Sequence, residues 1–131
     1  MLGSMITSVP GSSRYFLGGV VTYSNDAKEC VIKVQKQTMI KNGAVSEETA
    51  TEMATGTRKL FNSDIAVSIT GIAGPDGGSA AKPVGLVWIG ISTENGTFAK
   101  KFNFDGGRDS IRFGASNAAI RLIIDVAASI H

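Results

Sequence analysis

The sequence predicts an α/β protein, a layered α/β/α sandwich with a mixed sheet, from three observations. Apolar residues recur at three- and four-residue intervals in segments 46–62 and 108–130, as on the buried face of a helix. Two β-branched apolar runs, 64–70 and 85–93, are typical of strands lying between these helices. Asn95-Gly96 then separates the second run from a third, so part of the sheet is expected to be antiparallel.

The first element in chain order is a predicted strand, "GGVVTYS", residues 18–24, whose centre is β-branched and aromatic. Asn25 is then expected to cap a short helix that carries Lys28 and Cys30.

The next element is the helix over 46–62. Ser46 is its expected N-cap, and Glu47 and Glu48 in the first turn complement the helix dipole. Its predicted buried face consists of Ala50, Met53, Ala54, Thr57, Leu60 and Phe61.

The third run, "TFAKKFNFD", is predicted to pair antiparallel with 85–93 through a hairpin. The final helix is expected to pack on the sheet through a widened apolar stripe. That stripe consists of Ile111, Ala115, Ala118, Ala119, Leu122, Ile123, Val126 and Ile130.

Composition limits the possible classes of function. With 131 residues, 43% of them hydrophobic, the chain is expected to form one domain over 1–131. The net charge of +2 comes from 13 basic and 11 acidic residues, and the basic ones are scattered, which does not predict nucleic-acid binding. No apolar run approaches the roughly 18 residues of a membrane span. We therefore expect neither a nucleic-acid nor a membrane partner, and the single cysteine favours a reducing, cytoplasmic setting.

Cysteine and histidine are scarce. Cys30 is the only cysteine, so no internal disulfide forms, and no Cys/His spacing predicts a metal site. His131 is the only histidine and the last residue, where fraying is expected, so a Ser/His/Asp triad is not predicted.

A glycine-rich loop, "TGIAGPDGGS", follows the strand 64–70 and is longer than a simple chain reversal requires. Glycines allow a backbone to approach a ligand closely, and free amides in such a turn bind an anion or an oxyanion. The alternative is that the glycines only permit a tight loop. The pattern is neither a Walker motif nor GxGxxG, so motif rules leave both interpretations open.

Three motifs, in the same order, resemble the C-terminal domain of the competence-damage-inducible protein CinA. They are "VPGSSRYFLGGVVTYSNDAK", "NGAVSEET", and "TGIAGPDGG" followed by "KPVG". The resemblance implies a CinA-type domain. Because that family includes stand-alone nicotinamide-nucleotide amidases, it also implies hydrolysis of nicotinamide mononucleotide to nicotinic acid mononucleotide and ammonia, without a metal or redox cofactor.

A metal-free amidase needs a nucleophile, a base and donors for the oxyanion. The resemblance suggests that the nucleophile is Ser13, with Ser12 as the alternative and otherwise a substrate contact; the pair also suits helix capping. Lys28 is the candidate base if desolvation lowers its proton affinity, although a helix lysine is usually solvated. Tyr23 is expected to orient the serine or the lysine, or else to pack in the core.

The remaining candidates bind the substrate. Arg108 and Arg112, near the start of the final helix, are phosphate ligands or else ordinary surface charges. The expected loop contacts are Thr70, Gly71, Ala73, Gly74, Gly77 and Gly78.

The sequence also departs from the family pattern. Family members usually carry an upstream helix and a Ser-Cys-Thr-Gly-Gly segment before the point where this sequence begins, so we expect a domain that is N-terminally truncated relative to them. Gly107 stands where the family tends to have Asp. The alternative function is therefore a non-catalytic nucleotide-binding or oligomer-forming remnant. Without the covering helix an apolar surface would be exposed, so a homo-oligomer is expected.

Overall fold

Helices cover both faces of a three-stranded sheet in the computed structural model, which describes residues 1–130. The α/β class is confirmed, and His131 lies outside the described residues. The elements are α1 (Leu2–Thr7), a 3₁₀ helix (Ser12–Arg14), α2 (Asn25–Ile32), α3 (Lys36–Asn42), α4 (Glu47–Phe61), β1 (Ile65–Gly71), β2 (Leu86–Thr93), β3 (Gly96–Asn103) and α5 (Arg108–Ser129).

The sheet of the described residues is antiparallel throughout rather than mixed, in the order β1-β2-β3. β1 and β2 are joined by the loop over 72–85, which reverses the chain so that the two strands run in opposite directions. The β2–β3 hairpin is confirmed, and Thr93 pairs with Gly96 so that Glu94 and Asn95 form the turn.

One face of the sheet packs on α5. Val87, Ile89 and Ile91 of β2 are almost completely buried against this helix, and alternate residues of β1 join the same cluster. The buried members contributed by α5 are Ile111, Ala115, Ala119 and Leu122, which confirms the centre of the predicted stripe. Ile130, at the predicted end of the stripe, lies beyond the helix and is 37% exposed.

The other face of the sheet packs on α4 at backbone distance. Ser68 Oγ donates a hydrogen bond to Ala50 O over 2.6 Å. A Cβ atom at Gly90, the cross-strand neighbour of Ser68, would lie 2.4 Å from the same carbonyl oxygen. Ser46 caps α4 as predicted, its Oγ accepting from Thr49 N at 3.1 Å, but Leu60 of the predicted buried face is 50% exposed.

α4 also holds the two shorter helices. A Cβ atom at Gly56 would lie 1.7 Å from Ile32 O, so the α2 and α4 backbones are in contact. The Glu52 carboxylate accepts hydrogen bonds from Gln35 N at 2.8 Å and Thr38 Oγ1 at 2.5 Å. It thereby provides an acceptor for the backbone N–H at the N-cap of α3. The small core between these helices consists of Ile32, Val34, Met39 and Met53.

Two local predictions near α2 are wrong. Residues 18–24 form no strand, because no neighbouring strand of the described residues pairs with them and composition alone cannot supply a hydrogen-bonding partner. The N-cap of α2 is Ser24, whose Oγ accepts from Ala27 N at 3.0 Å, and Asn25 is the first helical residue. The short helix carrying Lys28 and Cys30 is confirmed.

Among residues 1–130, none of the helices combines the length and the apolar character that crossing a bilayer requires. That holds for α5, the longest of them at 22 residues.

Replacing Gly56 by alanine is expected to destabilise the fold by roughly 1–3 kcal/mol, the usual cost of overpacking. The new methyl group would overlap the Ile32 carbonyl, and this cost should exceed the gain in helix propensity. Urea denaturation measures the change. Gly19→Ala is the matched control, because its nearest contact would be an ordinary 3.9 Å to Phe16. Equal stability of the two variants would contradict the close contact.

Candidate functional site

A cavity of about 550 Å³ opens along the free edge of β1. Five consecutive β1 residues, Val67–Gly71, form one wall. Since consecutive strand residues point to opposite faces, the cavity reaches both sides of the sheet. Its other walls come from the start of α1, residues 20–23, α2 and α4, and the first turns of α5.

Lys28 contributes a buried amine to this cavity. Its residue is 6% exposed, and its Nζ donates to Thr22 O at 2.9 Å and to Tyr23 O at 3.2 Å. The Ser24 cap begins α2 immediately after these two carbonyls, so the first turn of the helix brings the lysine back over them. The lysine is thus held by backbone oxygens of its own chain segment.

Burial lowers the pKa of Lys28 below its ordinary value of 10.5, because desolvation penalises the ammonium form. No carboxylate of the described residues forms an ion pair with it, and Asp109 pairs with Arg112 instead. A lowered pKa increases the fraction of neutral amine near neutral pH, and the neutral amine is the form that can accept a proton.

Tyr23 lines the cavity, but its residue is 83% exposed. Its contact with Lys28 is made by the backbone carbonyl at 3.2 Å, and no hydrogen bond of its hydroxyl with a described residue is found. The structure therefore brings Tyr23 to the lysine through its main chain rather than through the phenol.

Ser12 and Ser13 do not line the cavity. They lie in the 3₁₀ helix, where Ser12 is 7% exposed and Ser13 is solvent-exposed. The backbone carbonyl of Ser12 accepts from Tyr15 N at 3.1 Å and Phe16 N at 2.8 Å, which closes this turn. The serine pair is therefore not among the residues that form the cavity wall.

The glycine-rich loop enters the cavity only at its first residues. Thr70, Gly71 and Ala73 line the wall, and Thr70 Oγ1 donates to Ala44 O at 2.7 Å. Gly74 is buried but does not line the cavity, and Gly77 and Gly78 are exposed and also lie outside its wall. The part of the loop that could bind a ligand in this cavity is therefore its root rather than its tip.

Arg108 and Arg112 both line the cavity at the beginning of α5. Arg108 Nη1 donates to Gly74 O at 2.9 Å. This hydrogen bond holds the loop, directly after its root, against the start of α5. At the other end of the loop, Lys82 Nζ donates to Asn42 O at 2.5 Å. Among the described residues Arg112 pairs with exposed Asp109 alone, at 3.9 Å, so its guanidinium keeps most of its donors free.

The sequence did not single out two serines that do line the cavity, Ser68 and Ser116. Ser68 Oγ is engaged with Ala50 O, but Ser116, 4% exposed, has no side-chain hydrogen bond to a described residue. Ser116 stands beside the predicted α5 stripe, between small residues, where a serine carries no sequence signal of its own. Within residues 1–130 no group of three or more His, Cys, Asp or Glu side chains is arranged to hold a metal ion.

Comparison with known proteins identifies relatives over nearly the whole chain. The family model described as the CinA C-terminal domain matches residues 1–127. The chain is 50% identical over 120 residues to a CinA-like protein of Geotalea uraniireducens and 49% identical over 126 residues to one of Petrotoga mobilis. It covers 92% and 96% of its own length in these matches but only 29% and 31% of the relatives.

Among solved structures, the chain is similar to the competence/damage inducible protein CihA from Agrobacterium tumefaciens. The two share 39% sequence identity with a TM-score of 0.93. The match covers 96% of this chain and 78% of the Agrobacterium chain. The matched fold is therefore common to both, and the solved chain contains further residues outside it.

Replacing Lys28 by methionine is expected to remove a pH dependence of stability. Between the lowered folded-state pKa and 10.5, the unfolded chain binds more protons, so the free energy of unfolding rises with pH in wild type. Below the folded-state pKa the amine is protonated in both states, and the gain in the free energy of unfolding is absent. Urea denaturation across that range should therefore favour wild type increasingly over Lys28→Met at alkaline pH.

The control for this experiment is Lys36→Met, which changes an exposed lysine and should retain the wild-type slope. A difference between wild type and Lys28→Met that does not vary with pH would contradict a desolvated amine.

Proposed function

Because the chain belongs to the CinA C-terminal domain family, we propose that it binds nicotinamide mononucleotide in the β1-edge cavity and hydrolyses its carboxamide. The products would be nicotinic acid mononucleotide and ammonia. The observation that carries this proposal is the desolvated amine of Lys28, in one cavity with the loop root and two arginines.

In this proposal Lys28 is the general base. Its neutral form accepts the proton of the attacking hydroxyl and later returns it to the departing ammonia. The carbonyls of Thr22 and Tyr23 accept hydrogen bonds from the nitrogen and hold it in place. The same hydrogen bonds stabilise the ammonium that forms during attack. The backbone amides of Gly71 and Ala73 at the loop root are the proposed donors to the oxyanion, because Ile72 N is already engaged with Leu86 O.

Mutation has to assign the attacking hydroxyl. Ser13, with Ser12 as the alternative, is the nucleophile that the sequence motif suggests. Ser116 is the candidate on the cavity wall, since its residue is 4% exposed and its hydroxyl forms no hydrogen bond with another described residue. Attack would form a bond from the serine oxygen to the amide carbon, and water would then hydrolyse the resulting ester.

Arg112 is the proposed phosphate ligand, with Arg108 beside it. Both lie at the start of α5, where the helix dipole also favours an anion. Arg108 has a second role, because its bond to Gly74 O fixes the loop root that binds the other end of the substrate.

Binding without turnover is the second candidate function, and the position of the serine pair outside the cavity favours it.

We also propose that the chain forms a homo-oligomer. Its support is the set of exposed apolar side chains on the surface, Leu17, Val21, Ile40, Phe113 and Ile124.

Lys28→Met is expected to lower kcat for ammonia release by about 100-fold to 10,000-fold, the usual contribution of a general base. Wild-type kcat/KM should rise with pH through the lowered pKa of Lys28, and the variant should lack this rise. Binding of the mononucleotide, measured by calorimetry, should persist in the variant. Unchanged kcat would exclude Lys28 as the base, and an inert wild type that still binds would establish the second candidate.

Alanine variants of Ser12, Ser13 and Ser116 are expected to divide into one that abolishes ammonia release and two that do not. The nucleophile is the residue whose loss eliminates a covalent acyl-enzyme detectable by mass spectrometry after rapid acid quenching. Loss of activity with the acyl-enzyme still present would indicate a positioning role. Activity retained in all three variants would contradict a serine mechanism.

Arg112→Gln is expected to raise KM for the mononucleotide by roughly 10-fold to 100-fold, the value of a charge-assisted hydrogen bond. KM for nicotinamide riboside, which lacks the phosphate, should be unchanged. Arg121→Gln, an exposed arginine outside this cavity, is the charge-matched control. Equal effects of Arg112→Gln on both substrates would contradict phosphate binding.

A further inference from the structure

The α3–α4 connection, residues 42–46, contributes to the cavity wall at its centre. Two of its backbone carbonyls accept hydrogen bonds from side chains of other elements. Asn42 O accepts from Lys82 Nζ at 2.5 Å, and Ala44 O accepts from Thr70 Oγ1 at 2.7 Å. The connection is therefore attached both to the end of β1 and to the loop that joins β1 to β2.

Gly43 leaves room for the Lys82 ammonium at this attachment. A Cβ atom at position 43 would lie 2.7 Å from Lys82 Nζ, and the φ angle of Gly43 is +83°, which favours glycine. Lys82 forms no ion pair with a carboxylate of the described residues, and it does not line the cavity. The lysine therefore acts on the backbone of the α3–α4 connection rather than on a ligand.

The second arm of the loop, residues 82–84, is in close contact with the first. A Cβ atom at Gly74 would lie 2.6 Å from Val84 Cγ1, so the backbone at position 74 packs directly against the Val84 side chain. Gly85 N donates to Ile72 O at 2.8 Å and closes the base of the loop. A residue that fixes the second arm therefore also fixes the loop root, which carries the proposed donors to the oxyanion.

We propose that Lys82 is a positioning residue for hydrolysis of the carboxamide, an inference that rests on the proposed function. Its ammonium holds the second arm of the loop on the α3–α4 connection and thereby fixes the loop root. Amides that are fixed in advance stabilise the charge that develops only in the transition state. The proposed phosphate contact at Arg112 does not involve Lys82. Loss of Lys82 should therefore lower kcat rather than raise KM.

The kinetic test compares Lys82→Met with Lys101→Met, which changes an exposed lysine of β3 outside the cavity. Lys82→Met is expected to lower kcat for ammonia release by about 10-fold to 100-fold and to change KM by less than about 3-fold, because the amides that stabilise the oxyanion are displaced. The rise of kcat/KM with pH should persist, since Lys28 is intact. Lys101→Met should match wild type in both constants.

Amide hydrogen exchange, measured by NMR, reports on the loop without requiring turnover. Ser79 N donates to Lys82 O at 2.8 Å, and Gly85 N is also hydrogen-bonded. In Lys82→Met both amides should exchange at least about 10-fold faster than in wild type, because the loop opens locally. The amide of Ala119, in the buried part of α5, should exchange at the wild-type rate.

Three results would overturn the inference while the proposed function stands. The first is a kcat of Lys82→Met equal to that of wild type. The second is a raised KM with kcat unchanged, which would assign Lys82 to binding. The third is exchange that is unchanged in the loop, or equally faster in the loop and in α5, which would indicate a general loss of stability. An inert wild type would instead refute the proposed hydrolysis, and with it the role of Lys82.

Discussion

The backbone contact between α4 and the sheet positions the rest of the molecule. The Ala50 carbonyl occupies the space that a side chain at position 90 would fill, so glycine is the residue that fits there. The same carbonyl accepts a hydrogen bond from Ser68 Oγ. Six residues further along α4, Gly56 meets Ile32 O of α2 in the same way. Lys28 lies one turn before Ile32. The contact of the sheet with α4 and the contact of α4 with α2 therefore together set the position of the cavity amine relative to the sheet.

The site depends on a compromise at Lys28. Enclosing an amine lowers its proton affinity, which makes it a better base at neutral pH, but burial of the ammonium form costs folding free energy. The two carbonyls at 2.9 and 3.2 Å limit that cost by accepting hydrogen bonds from the nitrogen. The lysine is therefore retained in a cavity rather than extended into solvent, where it would be an ordinary surface charge.

Much of the fold follows from local pattern. The long helices α4 and α5, the hairpin and the strands are predictable because their periodicity reports burial directly. α3 is too short at seven residues for such a signal, and its start depends on Glu52 from another helix. Lys28, the loop root and the two arginines, expected at a site from the family resemblance and their chemistry, line one cavity. The separation of Ser12 and Ser13 from the cavity and the presence of Ser116 in it depend on packing, which no local pattern encodes.

Five side-chain hydrogen bonds that fix the site share one property, which is that each ends on a backbone carbonyl. Lys28, Thr70, Arg108, Ser68 and Lys82 all donate to main-chain oxygens. Every residue type carries that acceptor, so substitution of the accepting residue leaves the bond available, whereas substitution of the donor removes it. Tolerance to substitution in this domain should therefore differ between the two partners of each bond. Substitutions at accepting positions such as Thr22, Ala44 and Asn42 keep the hydrogen bond as long as the backbone path is kept. Substitutions at the donor positions remove it.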